Sequence, residues 1–133
     1  ISGLINMSFT TFLENELLDH AFRNTAYTAP ATVYIGLYTT ATGSGGTGTE
    51  VSGGSYARQA MAFDAAVSGA IDNTAAVEFP TASASWGTIT HTAVHDAVSG
   101  GNMLAETALT ASKLIGSGDV FRFQAGEFDI TLT

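Results

Sequence analysis

The chain contains no cysteine in its 133 residues, so neither a disulfide frame nor a thiolate metal site can hold it together. Cations are scarce: four Lys and Arg stand against twelve Asp and Glu, for a net charge of −8. A body of that sign repels polyphosphate and has no basic run to overcome the repulsion, so nucleic-acid binding is disfavoured. Charged residues of both signs make up only 12%, which leaves Ser, Thr, Gly and Asn to cover most of the surface. No apolar run approaches the roughly 18 residues of a spanning helix, and no basic segment precedes an apolar one near the start. A membrane partner and a secretion signal are therefore not expected, and synthesis in a cytoplasm is.

What is present reads as one domain over 1–133, a length sufficient to bury about two-thirds of the surface of the unfolded chain. Residues 1–6, "ISGLIN", read equally as an extra arm or a cloning remnant. A helix is expected over 7–24: Phe12, Leu13, Leu17, Ala21 and Phe22 fall near one side, Thr11-x-x-Glu14 resembles a capping box, and Asn24 and Pro30 stop it. Over 31–133 the pattern changes to short period-two runs separated by Gly, Ser and Asn. Val33, Ile35 and Leu37 share one face of a first strand, and Met61 and Phe63 the apolar face of a second. "AAVEFP", "WGTITHTAVHD", "NMLAETAL", "DVFRF" and "FDITLT" supply the rest, with "SGG" as a hairpin loop. "NMLAETAL" also fits a helix by its Ala and Leu content, but the preceding Gly-Gly and the Thr residues around it favour a strand. The expected fold is mainly β: an antiparallel sandwich or squashed barrel of seven to eight strands with one N-terminal helix.

Several spellings invite chemistry. Gly43, Gly45 and Gly48 make G-x-G-x-x-G after a strand, but a dinucleotide site needs a helix to follow, and "TEVSGGSYARQ" predicts none. A long mobile hairpin loop over 40–55 is the expectation instead. Ser55 in "GGSYA" lacks the strand-to-helix turn of a nucleophile elbow. His91 and His95 have a ligand spacing for a helix, but on a strand, four residues at about 3.3 Å each set them about 13 Å apart, too far for ligand bonds of about 2 Å. Asp119 with Glu127, or Glu14 with Glu16, lacks any feature that separates two pKa values, so solvated surface groups are expected. Trp86 with Tyr27, Tyr34, Tyr38 and Tyr56 suggests a sugar-stacking platform, against the commoner role of core or interface rim. Neither a cofactor nor a metal is called for, and the chain is expected not to be an enzyme.

"LLDH" at 17–20, "TEVSGGSYARQ" at 49–59, "WGTITH" at 86–91 and "AGEFDITL" near the end lie in an order that, over 7–133, resembles a family of small virion structural proteins of tailed bacteriophages. Similar proteins often carry bulky residues after the His of "WGTITH", where this chain has Thr92 and Ala93. The resemblance implies a particle component and no catalytic residues. A single domain without coiled-coil or fibrous repeat then favours a capsid decoration protein, binding the shell as a homo-oligomer, a trimer by expectation. A tail or tail-fibre component, or a receptor- or glycan-binding module, is the alternative. Contact residues are expected on the helix (Phe12, Glu16), in and just after the long loop (Gly45, Gly46, Glu50, Tyr56, Arg58), and at Trp86.

Overall fold

The computed structural model describes residues 5–132. In chain order these form β1 (Ile5–Phe9), α1 (Thr11–Phe22), β2 (Val33–Tyr38), β3 (Gln59–Met61), β4 (Ala70–Asp72), β5 (Val77–Glu78), β6 (Gly87–His95), β7 (Met103–Ile115), β8 (Arg122–Phe123) and β9 (Phe128–Thr131). Seven strands make one curled sheet in the order β3-β2-β6-β7-β1-β9-β4, while β5 and β8 pair as a small second sheet. The architecture is the expected mainly β sandwich or half-barrel with one helix near its start. Two details differ. Nine strands are present among the described residues rather than seven or eight, and β1 runs parallel to β9, with Ile5 opposite Phe128.

The curl brings the two edges of the large sheet together. Beyond β3 and β4 the chain makes a bridge between Phe63 and Asn73, flanked by Thr74 N–H to Ala62 O (3.0 Å) and Asp64 N–H to Asp72 O (2.9 Å). Asn73, 1% exposed, fastens this seam: its amide donates to the carbonyls of Ala75 and Gln124, and its Oδ1 accepts the Phe128 N–H, each at 2.9 Å. An edge strand presents unpaired backbone groups that invite association, and meeting another edge removes part of that liability.

Period-two patterning holds where the ladder is regular and is reset where it is not. On β2, Ile35 and Leu37 are fully buried in the main core as their alternation predicts. On β6, Ile89 and Val94 both enter that core although five positions apart, a spacing that puts residues of a regular strand on opposite faces. The register shift between Ile89 and His91 supplies the change of phase. Val94 and Ala105 are opposite each other on β6 and β7, so "NMLAETAL" folds as a strand from Met103 on, paired with β6 through Met103 and Ala105 to Ala108. Its helical propensity is overridden by a long antiparallel partner joined through a tight turn, where Asp96 Oδ1 accepts the Asn102 N–H at 2.7 Å.

The small sheet adds an aromatic block to the same core. Phe79, Phe121, Phe123 and Phe128 are each no more than 1% exposed. Phe121 and Phe123 meet edge to face at 4.9 Å, Phe123 and Phe128 at 4.4 Å, and Phe79 and Phe121 at 5.9 Å. Such pairs are favourable by about 0.5–1.5 kcal/mol beyond the area they bury.

The expected helix over 7–24 is corrected at both ends. Met7 to Phe9 belong to β1, because that segment lies between β7 and β9 and gains ladder bonds on both sides. Thr10, not Thr11, is the N-cap: its Oγ1 accepts the Leu13 N–H at 3.4 Å and donates to Met103 O at 2.6 Å. The Thr10 N–H is taken by Leu104 O at 2.9 Å, so the capping box cannot close on it. At the far end Asn24 adopts φ 54°, and the N–H groups of Arg23 and Thr25 both reach Asp19 O. The arm expected over 1–6 falls partly outside the described residues, while Ile5 and Asn6 are already in β1, paired with Phe128 and Asp129.

Candidate functional site

The eight residues expected to mediate contact separate into two groups. Phe12, Gly45 and Gly46 converge at the start of α1, around a cavity of about 310 Å³ that Met103 also lines. Glu50, Tyr56 and Arg58 meet behind β2, and Trp86 touches this second group from the core side through Tyr56, ring to edge at 5.5 Å. Glu16 joins neither; it is half-exposed on α1.

The loop that carries most of them, between β2 and β3, is pinned rather than loose. Glu50 bridges to Tyr38, the Thr39 N–H donates to Thr49 O, and the Val51 N–H to Leu37 O (both 2.9 Å). Ser44 O accepts the Thr11 N–H at 2.8 Å, and Thr42 Oγ1 donates to Glu106 Oε1 at 2.6 Å. The expected mobile hairpin is thus corrected by bonds to its own stem, to the helix start and to β7. The glycine fingerprint makes a tight turn, with the Gly46 N–H donating to Gly43 O at 2.9 Å, and leads into further turns instead of a helix.

"GGSY" has a definite task. Gly53, Gly54 and Ser55 take three consecutive left-handed conformations, φ 74°, 57° and 67°. A Cβ at Gly54 would lie 2.9 Å from Trp86 Nε1 and 3.0 Å from Ala84 O, so only glycine fits. In this turn Gly54 O accepts both Trp86 Nε1–H (2.8 Å) and the Ser83 N–H (3.0 Å). Ser55 Oγ donates to Ser83 Oγ, a tie between loops with no base beside it. Tyr56 is thereby directed inward, stacked on Phe79 at 6.0 Å.

The Tyr56 hydroxyl emerges beside β2, accepting the Leu37 N–H (2.9 Å) and donating to Glu50 Oε2 (2.6 Å). Arg58 grips the same carboxylate with two bonds, Nε to Oε2 at 2.9 Å and Nη2 to Oε1 at 2.8 Å. Its Nη1 donates to Ala97 O and Gly100 O, both at 2.9 Å, which ties the β6–β7 turn to the loop. Alongside, Tyr38 OH and His95 Nε2 share a 2.9 Å hydrogen bond, and their rings stack at 5.9 Å. Gly36 makes room for this cluster: a Cβ there would lie 2.9 Å from Glu50 Oε2 and 3.2 Å from Tyr56 OH. The composition around Thr92 and Ala93 serves the same region. Thr92 Oγ1 donates to Gly36 O at 2.8 Å, and Ala93 packs with Tyr38 and Met103 in a second apolar cluster.

Electrostatics follow from this geometry. Burial acts to raise the Glu50 pKa, but hydrogen bonds from Arg58 and Tyr56 and the Arg58 charge outweigh it and hold the carboxyl below its ordinary range. Burial and the Glu50 carboxylate push Tyr56 well up, and burial with nearby Glu50 pushes Tyr38 up to about 12. Burial and the Arg58 charge lower His95 to about 4. At neutral pH the cluster is an ion pair flanked by uncharged Tyr and His. Its hydrogen-bonding groups are spent on one another and on backbone, a bracing arrangement rather than a poised acid and base.

The remaining candidates are dispersed. His91 Nδ1 contacts Thr90 Oγ1 at 2.8 Å while His95 is held by Tyr38, and no cluster of His, Asp or Glu suited to a metal exists among the described residues. Asp119 caps its own turn through the Gly116 N–H. Glu127 is corrected from surface to interior: it is 4% exposed, with Oε1 accepting the Gln124 N–H at 2.8 Å. Trp86 and Tyr38, each 5% exposed, take the commoner core role expected of such aromatics and offer no anchor for the alternative sugar platform. Among the described residues no helix is long and apolar enough to cross a membrane. The open apolar surface lies elsewhere, on the second half of α1, where Leu18 is 56% and Phe22 81% exposed beside Leu132 at 59%. Phe22 is on the apolar side of the helix as its spacing predicts, but of the helix's residues only Phe12 and Leu13 pack against the main core.

Against known proteins, residues 8–131 match the family model described as "Podophage GP4 fiber I protein gp80". No curated protein matches the chain.

Proposed function

The chain belongs to the podophage GP4 fiber I protein gp80 family, and from that premise we propose that it is a non-enzymatic fibre component of a tailed-phage particle. The single observation that carries this is the extent of the match, which takes in the large sheet, the helix and the small sheet together. The polar cluster agrees with it: Glu50, Tyr56 and Arg58 line an open cavity of about 350 Å³, but they and Tyr38 and His95 spend their hydrogen bonds on one another and on backbone. The preference for capsid decoration gives way here. It rested on the shape of a lone knob without fibrous repeats, and shape does not decide where a domain is mounted.

In this role the chain is made in the host cytoplasm and works by contact with other virion proteins. Association of its own copies in closed symmetry, three by expectation, is measured by sedimentation of the purified chain. The location is tested by labelling intact particles with antibody-bound gold. Label at the fibres is the expected result, and label spread over the shell overturns the proposal.

A further inference from the structure

The second half of α1 forms an apolar face that the described residues leave uncovered. No residue of the helix is buried. Its first turn is anchored through the Thr10 cap and through Phe12 and Leu13, which pack against the core. A 12-residue helix is marginal without tertiary packing, yet from Leu17 onward little of this one is covered. Leu18, Ala21 and Phe22, with Leu132 from the end of the large sheet, line an open groove of about 510 Å³. The other exposed large apolar residues, Val67, Val98, Leu114 and Val120, do not line this groove. Contiguous apolar surface of this kind marks interaction sites, whereas single exposed residues do not.

Charge narrows the occupant. The groove residues include one acid, Glu14, and no cation. Glu14 stands one turn before Leu18 on the same stripe of the helix, and it has no ion pair among the described residues. A second copy docked here, whether by a two-fold or by a three-fold axis, would set another body of −8 net charge against this acid. We infer that this groove seats a neighbouring virion protein through an apolar segment flanked by Lys or Arg, with the cation facing Glu14. This inference rests on the fibre proposal and specifies the surface by which the chain is held.

The test uses particles of a phage lacking this chain, to which purified chain is added and bound copies are counted against concentration. Leu18→Ser with Phe22→Ser should weaken binding at least about tenfold, as loss of central apolar anchors does. Glu14→Gln should weaken it a few-fold and reduce its salt dependence. Leu114→Ser, an exposed apolar residue outside the groove, should bind as wild type. Unchanged melting temperatures establish that each variant is folded, as substitution of such exposed side chains permits. If the wild type binds and the double variant binds equally well, the groove inference is overturned and the fibre proposal stands. If the wild type does not bind at all, both fall. A wild-type oligomer that Phe22→Ser dissolves to monomers assigns the groove to self-association and also overturns the inference.

Discussion

His95 is 3% exposed, stacked on Tyr38 and hydrogen-bonded to it. Its folded pKa is about 4 against 6.5 for the free side chain, so the unfolded chain binds a proton there first. Stability is complete above about pH 6.5 and declines as pH falls toward 4. At about 1.4 kcal/mol per pH unit the loss approaches roughly 3 kcal/mol. Glu50, lowered by its partners, contributes in the same direction below its ordinary range, where protonation releases Arg58. Urea unfolding at pH 7.5 and pH 4.5 should show this fall in wild type, and in His95→Gln a much flatter profile down to about pH 4.5. A wild-type stability independent of pH over that range refutes the assignment. Arg58→Ala should cost about 2–4 kcal/mol, because it strands the Glu50 carboxylate and two backbone carbonyls, as read from the shift in denaturation midpoint. Of these residues, Glu50, Tyr56 and Arg58 were legible in the sequence as neighbours in one stretch. Gly36, Tyr38 and His95 were not, because they join through the β2–β6 register, a long-range pairing that no local pattern encodes. Trp86 was legible as a contact candidate with core as its commoner role, and nothing local reveals that the Gly54 carbonyl takes its indole N–H.

Where α1 meets the sheet, one hydroxyl serves two partners. Thr10 Oγ1 caps the helix and also donates to Met103 O. Thr10→Val keeps the shape and removes both, and should lower stability by about 1–2 kcal/mol, read from thermal unfolding followed by circular dichroism. If the loss is negligible, the cap does not secure the helix. The elements that the sequence displayed well are those with clean alternation and a turn beside them, β2 and β9, whereas on β6 the register shift interrupts the alternation. β1 was misread because Met7 and Phe9 stand directly before a genuine helix, and five residues are too few to separate the two periods. β4 was missed because "GAID" lies in a run of Gly, Ser and Ala and takes its strand character from β9, not from its own residues. β7 was correctly preferred as a strand because of the glycines before it and the Thr residues that precede Lys113, its Ala and Leu content being ambiguous.

For the molecule as a whole, the seam at Asn73 tests whether the curl of the large sheet matters to stability. Asn73→Ala removes three hydrogen bonds in a buried place and should cost about 3 kcal/mol or more, with faster amide exchange across 62–64 and 72–74. Retention of wild-type exchange in those segments shows the edges to be independent. Fold class and particle membership were readable from strand spacing and from the family-like segments, whereas the mounting position was not, because a compact β domain looks the same on a shell or a fibre. The partnership of β1 with β9 bears on biogenesis. Synthesis proceeds from one end, so the strand that emerges first waits for a companion translated about 120 residues later, and closing so wide a loop is entropically slow. Every element from β2 to β8 is translated before β9 can join β1, and until then β1 leaves an open border for a chaperone or for a fellow nascent chain.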